Sequence, residues 1–423
     1  MPRTIDPLLV ALGRAVKKAL KATGRNGSAL PGLVIERLDP SFMTRTLSAL
    51  PMGIVVVTGT NGKTTTTKMA VELLSAHGLT VFSNPTGSNY GRGIVSALIS
   101  ATDWRGRLDA DIAVLEVDEA HAVGLVSQIP PEHVAILNVS RDQMDRFGEI
   151  DRTVSMLSQV AAAAQKSVVI NINDPRLTAS GFTPDTSASL RGFGVAPEIL
   201  HRFPVDDELL AIASDVPQIA DVTLLERIDP APVVSFQGRE YQFRLSFDGL
   251  HNQLNAAAAI ALCRTVLGSR VRTEVLFAAL PTIPPAFGRG EVVDVDGQAI
   301  EIVLVKNPAG FRVALDSFAD GGAHTMMVLN DNDADGRDVS WIWDVDFSAV
   351  SSVDTVSGSR AHDLALRLAY DDVPTEAVET DIGVAVQRFA RRYPGDRKRV
   401  FCTYTAMLEL RKALDADTWG EAA

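Results

Sequence analysis

The chain has 423 residues, 46% of them hydrophobic, and its formal net charge at pH 7 is −12. Domains settle near ~100–200 residues each, so we expect two or three domains with separate cores. The negative charge disfavours nucleic acid as a partner, because a polyanion is repelled unless basic groups cluster locally. The two cysteines, Cys263 and Cys402, lack the spacing of a zinc site or a disulfide framework, which indicates a reducing compartment.

The N-terminal segment carries a helical pattern. Leucine and valine recur at helical spacing over residues 7–23, followed by lysine and arginine side chains, which predicts an amphipathic helix. We expect residues 1–50 to form a helical segment that packs on the central domain. A basic amphipathic helix can also lie on an anionic membrane surface, so peripheral contact with the inner membrane stays open.

The sequence shows no segment that would place the chain across or beyond a membrane. No apolar run approaches the ~20 residues that a bilayer requires. The N-terminus also lacks the charged, apolar and cleavage zones of a secretory signal. We therefore expect a cytoplasmic protein, with contact at the cytoplasmic face of the membrane as the open alternative.

Short β-branched runs alternate with helical stretches from residue 53 onward, which is typical of an α/β fold with a parallel sheet. The first predicted strands and helices lie at 54–58, 65–74, 112–116, 134–138, 167–171 and 252–267. Residues 175–240 show no strong period, and we expect an irregular excursion from the sheet there.

A second domain is predicted beyond a Pro-rich joint at 281–285, which resembles an interdomain hinge. Further β-branched runs lie at 302–305, 325–329, 355–356 and 400–404. The pattern predicts a central domain at 51–291 and a smaller C-terminal α/β domain at 292–423.

A phosphate-binding loop is the clearest motif. The apolar strand at 54–58 leads into a helix through Gly59, Thr60, Asn61, Gly62, Lys63, Thr64 and Thr65, which we predict contact ATP. Glycines let backbone N–H groups turn toward phosphate oxygens. Lys63 is placed to neutralise the β- and γ-phosphates, and Thr64 to bind Mg²⁺. The first glycine of the generic G-x-x-x-x-G-K-T pattern is Val57 here, and an extra glycine stands at Gly59.

Glu116 is the predicted second ligand of Mg²⁺. It ends the next apolar strand, at the edge of the sheet where phosphate-loop folds keep a metal-binding carboxylate. Thr64 and Glu116 together form the predicted magnesium site.

The T-G-T-N-G-K-T-T loop resembles that of the Mur ligases and the folylpolyglutamate synthases. The resemblance implies that segments containing Asp174, Asn252 and Asn255 close around the nucleotide. Asn255 would face adenine, since an amide offers both a donor and an acceptor. His251 is interpreted as a structural or pocket-rim residue. Arg289, in a Phe-Gly-Arg-Gly run, would reach the γ-phosphate as a permanently charged fork.

One position departs from the amino-acid-adding Mur ligases. These enzymes carry a histidine that helps to hold a second metal, and Gln143 stands at the corresponding position. The resemblance therefore gives no support for a second Mg²⁺ site.

Four runs narrow the resemblance to the MurT family of the Mur ligase superfamily, over nearly the whole chain. They lie at 141–151, 305–311, 330–344 and 403–408. The most specific part is Asp-Gly-Arg-Asp-x-Ser-Trp at 335–341. MurT proteins pair with a glutaminase subunit, GatD, that uses a Cys-His pair. The resemblance makes Asp338 the catalytic carboxylate that orients the partner's histidine. The alternative that Asp338 caps a local turn stays open.

Many MurT proteins carry a four-cysteine zinc ribbon in the central domain. This chain has no cysteine between residues 171 and 249. We therefore predict no structural zinc.

The resemblance implies an ATP-dependent ligase of peptidoglycan synthesis. It would activate the α-carboxylate of D-isoglutamate in a lipid-linked muropeptide such as lipid II, and ammonia from the partner would convert the acyl phosphate to D-isoglutamine. One alternative is an amino-acid-adding Mur or folylpolyglutamate synthase-like ligase, against which Gln143 and the run at 335–343 count. The other is a non-catalytic ATP-binding scaffold for a glutaminase, against which Lys63, Thr64 and Glu116 count.

Overall fold

The chain folds around two β-sheets in a computed structural model. The structure describes residues 6–22, 29–84, 91–140, 150–178, 182, 187–203, 220–226, 231–247, 249–286, 289–295, 297–318 and 322–414. Both sheets are mainly parallel and carry helices on both faces, so the predicted α/β fold class is confirmed. Among the described helices, none is long and apolar enough to cross a bilayer.

Nine strands of the described residues form the first sheet, in the order β2-β3-β1-β4-β5-β6-β7-β8-β9. The strands β2 to β7 pair in parallel, and β8 and β9 add an antiparallel edge. This part comprises α1 Asp6–Ala22, α2 Ala29–Leu38, α3 Phe42–Leu47, β1 Ile54–Thr58, α4 Lys63–Ala76, β2 Val81–Ser83, α5 Gly91–Ala101, β3 Ile112–Glu116, α6 Glu119–Gln128, β4 His133–Ile136, α7 Ile150–Ala162, β5 Ser167–Asn171, α8 Pro175–Thr178, β6 Ser189–Val195, 3-10 turn Pro197–Arg202, β7 Val222–Glu226, β8 Val233–Phe236, β9 Arg239–Gln242, α9 Leu250–Leu267, 3-10 turn Gly268–Arg270, α10 Thr273–Ala279 and 3-10 turn Leu280–Thr282.

Strand β1 shows why this sheet is buried on both faces. Successive side chains of a strand point to opposite faces. Val55 and Val57 belong to one core, whereas Ile54 and Val56 belong to the other. The apolar run at 54–57 therefore contributes to both cores at once, as expected for a central parallel strand.

The N-terminal helices cover one of these faces. Leu9 and Ile35 share a core with Val56. Helices α2 and α5 approach so closely that a Cβ at Gly32 would lie 1.9 Å from the Arg92 carbonyl oxygen. Helices α1 and α2 thus pack on this face of the first sheet.

The helix predicted at 7–23 is present as α1, but its apolar side is only partly covered by other residues. Leu8 is 70% exposed and Leu12 is 41% exposed, although both belong to the predicted apolar face. Among the described elements, the close neighbours of helix α1 are α2 and α5. It is a peripheral helix, so its neighbours bury only part of its apolar side.

The expectation for residues 175–240 was wrong, because the described part of this region extends the sheet. Strand β6 pairs in parallel with β5, and β7 with β6. The β6 sequence contains Gly192 and Gly194, which weaken the alternation that predicts strands. A Cβ at Gly194 would lie 2.2 Å from Asn173 Oδ1, so the glycine permits close packing there.

In the described part of the chain, the second sheet comprises six strands in the order β10-β11-β15-β12-β13-β14, of which β10 is antiparallel to its neighbour and the others pair in parallel. Its elements are β10 Arg289–Val295, β11 Gln298–Leu304, α11 Pro308–Phe318, β12 His324–Val328, 3-10 turn Ser340–Asp344, β13 Val353–Ser357, α12 Ala361–Tyr370, β14 Thr375–Glu379, α13 Ile382–Arg391, β15 Lys398–Cys402 and α14 Tyr404–Ala413. Its two faces form separate cores. The domain boundaries at 50/51 and 291/292 stay predictions.

Candidate active site

The predicted phosphate loop connects β1 to α4 at the C-terminal edge of the first sheet. Gly59 and Gly62 adopt positive φ angles of 121° and 85°. A Cβ at Gly62 would lie 2.3 Å from Asn255 Oδ1. Gly62 therefore allows both the loop conformation and the close approach of Asn255 from α9.

Lys63 is buried within this loop. Its Nζ donates to the carbonyl oxygens of Gly59 and Thr60, and it lies 3.3 Å from Glu119 Oε2. The ammonium is thus directed at the loop backbone. Glu119, which follows Glu116 closely in sequence, is a partner that the sequence did not single out.

Thr64 and Glu116, the two predicted Mg²⁺ ligands, are in contact. The Thr64 hydroxyl donates to Glu116 Oε1 at 2.9 Å. They meet because β1 and β3 are neighbouring parallel strands, in which Val57 pairs with Glu116.

Asn84 fixes the backbone of Glu116. Its Oδ1 accepts from the Glu116 N–H at 3.0 Å and its Nδ2 donates to the Glu116 carbonyl at 2.9 Å. Asn84 was missed from sequence, although a buried asparagine just after an apolar strand is a usable signal.

The donor set fits Mg²⁺. A hydroxyl and a carboxylate are hard oxygen ligands, and Mg²⁺ at nucleotide sites takes its other ligands from phosphate and water. No group of three histidine, cysteine, aspartate or glutamate side chains that could hold a metal occurs among the described residues. Thr64 and Glu116 therefore suit an ion that is shared with a nucleotide, rather than one caged by protein alone.

Asn138, which follows β4, holds the other side of the loop. Its Oδ1 accepts from the Asn61 N–H at 2.8 Å, and its Nδ2 donates to the Asn61 carbonyl at 3.0 Å. Next to it, the Ser140 N–H donates to Thr60 Oγ1 at 3.0 Å. The loop conformation thus depends on the neighbouring strand as well as on its own glycines.

An amide pair joins the phosphate loop to the second sheet. Asn307 Nδ2 donates to Asn61 Oδ1 at 3.0 Å, and Asn61 Nδ2 lies 3.3 Å from Asn307 Oδ1. Asn307 Oδ1 also accepts from the Gly310 N–H at 2.8 Å in the first turn of α11. Sequence reasoning placed Asn307 in a MurT-like run without giving it a role.

A cavity of about 170 Å³ lies between the C-terminal edges of the two sheets. Of the predicted ATP contacts, Asn61, Gly62, Asp174, Asn252 and Asn255 line it, and so does His251. The other predicted contacts lie outside its lining, namely Gly59, Thr60, Lys63, Thr64 and Thr65. The end of β11 and the residues that follow it up to the first turn of α11 contribute Val303, Leu304, Lys306, Ala309 and Gly310. A crevice at the carboxyl ends of parallel strands is where α/β folds bind nucleotides.

Asp174 organises the rim of this cavity. Its Oδ2 accepts from the Val139 N–H at 2.7 Å and its Oδ1 from the Arg176 N–H at 2.9 Å. Burial raises the pKa of Asp174 to about 6, despite these hydrogen bonds. Both oxygens face inward to the backbone, so its effect on a nucleotide would be exerted mainly through loop shape.

Asp174 should make stability depend on pH. Its folded-state pKa of about 6 lies above the reference value of 3.8. The native state therefore binds the proton more tightly, and this group's contribution to stability falls as pH rises from about 4 through about 6. The free energy of unfolding in urea should be measured for wild type and Asp174→Asn between pH 4 and 7. The value for wild type should fall relative to that of the variant by about 2 to 3 kcal/mol over this range. A constant difference would contradict the assignment.

Two predicted positions are not described in full. Gln143 lies outside the described residues, as do Phe287 and Gly288 of the interdomain run. Of Arg289, only its backbone pairing with Val303 is described. Their roles stay predictions.

Asp338 lies in the segment after β12, and its side chain is exposed. Its Oδ1 accepts from the Ser340 N–H at 2.8 Å. Hydrogen bonds from the side chain and backbone of Ser340 hold the pKa of Asp338 below its usual value, so it is ionised at neutral pH. The turn-capping contact is therefore present, and the carboxylate remains accessible to a partner.

Two buried or partly buried aspartates anchor this segment. Asp335 accepts hydrogen bonds from the backbone N–H and the hydroxyl of Thr405, at the start of α14. Asp331 Oδ2 lies 2.8 Å from Arg360 Nε. Asp338 is thus presented from a segment that is tied down at several points.

We predict that the purified protein holds no stoichiometric zinc. Both cysteines, Cys263 and Cys402, are buried, and burial raises the pKa of each thiol. Zinc binds the thiolate, so neither is a suitable ligand. Elemental analysis should find well below one zinc per chain. A value near one that survives dialysis against a weak chelator would contradict the prediction.

Comparisons with known proteins give matches in both parts of the chain. Residues 57–263 match the Mur ligase middle domain, and residues 304–407 match the MurT ligase C-terminal domain. A protein of Streptococcus pneumoniae named "Lipid II isoglutaminyl synthase (glutamine-hydrolyzing) subunit MurT" is 30% identical, over 95% of both chains.

Solved structures share the fold. MurF from Acinetobacter baumannii superposes with a TM-score of 0.68 and 19% identity, covering 92% of this chain and 80% of that one. MurF ligase from Thermotoga maritima, solved in complex with ADP, gives a TM-score of 0.64 and 18% identity over 89% and 84% of the two chains.

The two-sheet fold and the phosphate loop define a protein of the Mur ligase class. Its matched C-terminal domain and near full-length similarity go further: the chain belongs to the MurT family of ligases.

Proposed function

We propose that this chain is the synthetase subunit that amidates the α-carboxylate of D-isoglutamate in lipid II. It would use ATP and Mg²⁺, with ammonia supplied by a GatD-like glutaminase subunit. The observation that carries the proposal is the phosphate loop, in which Lys63 contacts Glu119 and Thr64 contacts Glu116. Asn61 and Gly62 of the same loop line the cavity between the two sheets. The proposal is also supported by similarity to a protein named as a lipid II isoglutaminyl synthase subunit, which is 30% identical over 95% of both chains.

The chemistry requires activation of a carboxylate. A carboxylate resists attack because its negative charge repels nucleophiles and it offers no good leaving group. Transfer of the γ-phosphoryl group of ATP to its oxygen gives an acyl phosphate, which ammonia attacks with release of phosphate and formation of D-isoglutamine. Phosphoryl transfer is promoted mainly by positioning and charge stabilisation.

The residues divide these tasks. Lys63 would bind the β- and γ-phosphates, and Arg289 would stabilise the charge on the transferring group. Thr64 and Glu116 would hold Mg²⁺, which supplies further charge neutralisation when it is bound. Asn255 and Asn252 would contact the base or ribose from α9, and the Asn61 to Asn307 pair would hold the second sheet against the loop.

The exposed aromatic surface beside Asp338 supports a partner on the C-terminal domain. Trp343 is 46% exposed and Tyr370 is 70% exposed, and their rings meet edge to face at 5.0 Å. Arg367 lies over the Trp343 ring at 5.5 Å. Arg367 is buried, so it supports the Trp343 ring and is not part of the exposed surface. Aromatic residues are enriched at protein interfaces, so the glutaminase would dock on the exposed rings and meet Asp338.

A lipid-linked substrate would bring the protein to the membrane surface. The exposed Leu8 and Leu12 of α1, with Lys17 and Lys18 on the same helix, would favour peripheral contact with anionic lipid. The membrane contact is part of the proposal, but the amidation reaction does not depend on it.

Co-purification with a glutaminase-like subunit, followed by incubation with lipid II, ATP, Mg²⁺ and glutamine, tests the proposal. Mass spectrometry should detect conversion of the free α-carboxyl to the amide, together with ADP and phosphate. Incorporation of an amino acid instead would indicate the amino-acid-adding alternative. Glutaminase activity without any amidation, from glutamine or ammonium, would indicate the non-catalytic scaffold.

A further inference from the structure

A second cavity lies at the opposite edge of the first sheet, away from the phosphate loop. It measures about 390 Å³ and is lined by the first residues of β4, β5 and β6, namely His133, Ser167 and Ser189. The phosphate loop follows the other end of β1. Five-residue strands at ~3.3 Å per residue separate the two edges by roughly 15 Å, so the cavities are distinct.

The charge of this cavity is opposite to that of the whole chain. Its lining includes the cationic side chains Lys166, Arg191, Arg264 and Arg270, and Asp221 is the carboxylate among the lining residues. The chain as a whole carries −12. A concave site with one sign of charge concentrates ligands of the opposite sign.

These cations are only partly compensated within the described structure. Among the described residues, the Lys166 ammonium makes no hydrogen bond or ion pair. Arg270 Nη2 contacts the Met52 sulfur at 3.8 Å, and a thioether is a weak acceptor. Asp221 Oδ1 lies 3.4 Å from Arg191 Nη1. Arg264 Nη1 donates to the Gly268 carbonyl at 2.8 Å, which offsets the negative end of α9.

A buried imidazole supplies a second, independent observation. His133 is only 6% exposed and lines the cavity, and its Nδ1 lies 2.7 Å from Ser167 Oγ. Its Nε2 has no hydrogen-bond partner among the residues that the structure describes. If the Ser167 hydroxyl donates to Nδ1, the ring proton lies on Nε2 and is available to an acceptor.

We propose that this cavity binds a small phosphate-bearing anion, at a site separate from the nucleotide site. The planar guanidinium groups of Arg191 and Arg270 match phosphate oxygens in pairs, and Lys166 adds a point charge. The volume falls in the range of small-molecule pockets. The inference does not depend on the proposed amidation, because nothing in it uses the phosphate loop.

The imidazole also makes the site observable. Burial, and then the charge of Lys166, lower the pKa of His133 to about 4, so the ring is neutral at pH 7. An anion bound beside it favours the charged form and raises that pKa. NMR of protein labelled with ¹³C-histidine reports on this ring directly, and the His133→Gln variant assigns its signal.

Inorganic pyrophosphate is the probe for a titration of the full chain at low salt. The His133 signal should shift and saturate, and its pKa should rise. The Arg191→Ala/Arg270→Ala variant should bind at least about tenfold more weakly, the scale of losing hydrogen bonds to a charged group. Arg391→Ala, which removes an exposed arginine outside the cavity, is the matched control and should bind as wild type.

Three results would overturn the inference. The first is an unmoved His133 signal at saturating pyrophosphate, and the second is equal affinity in wild type and the double variant with an unchanged unfolding temperature. If the double variant is unstable, Lys166→Ala replaces it. The third is a result with vesicles, in which the wild type binds phosphatidylglycerol but not phosphatidylcholine, the double variant binds neither, and pyrophosphate has no effect. This result would mean that the basic cavity binds a lipid headgroup instead of a free anion.

Discussion

Replacement of Lys63 by alanine is expected to abolish ATP-dependent amidation. Its ammonium lies inside the phosphate loop, where it contacts the Gly59 and Thr60 carbonyls. Loss of a charged group that stabilises phosphoryl transfer lowers the rate by about 10³-fold or more. The measurement is ADP release together with amide formation on lipid II, with the partner subunit and glutamine present.

Stability must be separated from catalysis in this variant. Lys63 lies 3.3 Å from Glu119, which is 5% exposed, so the alanine variant leaves a buried carboxylate without its cation. The Lys63→Ala/Glu119→Gln double variant should recover unfolding temperature but not activity. Lys412→Ala, at an exposed lysine of α14, controls for loss of charge alone. Near-normal turnover in a folded Lys63→Ala protein would rule out the phosphate-loop assignment.

Replacement of Asp338 by asparagine is expected to collapse glutamine-dependent amidation while sparing the synthetase reaction. An orienting carboxylate selects the tautomer of the histidine it contacts, and in a Ser-His-Asp protease the corresponding substitution costs about 10⁴-fold. We expect a comparable loss of glutamine hydrolysis. Ammonium chloride should restore much of the amidation, because the acyl phosphate forms at the other sheet.

The decisive measurement for Asp338 is a pair of rates on the purified complex, one with glutamine and one with ammonium. Asp333→Asn is the matched control, because Asp333 is a nearby exposed aspartate that pairs with Arg337 on the surface. Loss of both rates would assign Asp338 to the synthetase site or to the fold. Retention of both rates would mean that Asp338 only caps the local turn through its contact with the Ser340 N–H.

The local parts of the fold could be predicted from sequence. The strands at 54–58, 112–116 and 167–171 match β1, β3 and β5 at both ends. Their apolar runs are continuous because the strands are buried on both faces. The strands at 175–240 could not be predicted from their own pattern, since β6 contains two glycines and β9 is mostly polar. The pairing of β6 with β5, and of β7 with β6, places them in the sheet.

The candidate site divides in the same way. The phosphate loop, with Lys63 and Thr64 at its end, could be predicted from the sequence alone. Its conformation depends on glycines and on a strand-to-helix junction that lie within a few residues of each other. The pairing of Thr64 with Glu116 could also be predicted, because the C-terminal ends of parallel strands lie at the same edge of a sheet. Asn307 was different: it meets Asn61 across 246 residues. That contact depends on how the two sheets, which have separate cores, pack against each other.

Tertiary structure alone also decided which cavities exist. The cavity beside Gly62 forms because α9 brings Asn255 against the loop, and a side chain at Gly62 would prevent it. The basic cavity forms because parallel strands bring the starts of β4, β5 and β6 side by side, although His133 and Arg191 are far apart in sequence. Sequence patterns determine the conformation of each segment, whereas the packing of buried surfaces decides which distant side chains share one space.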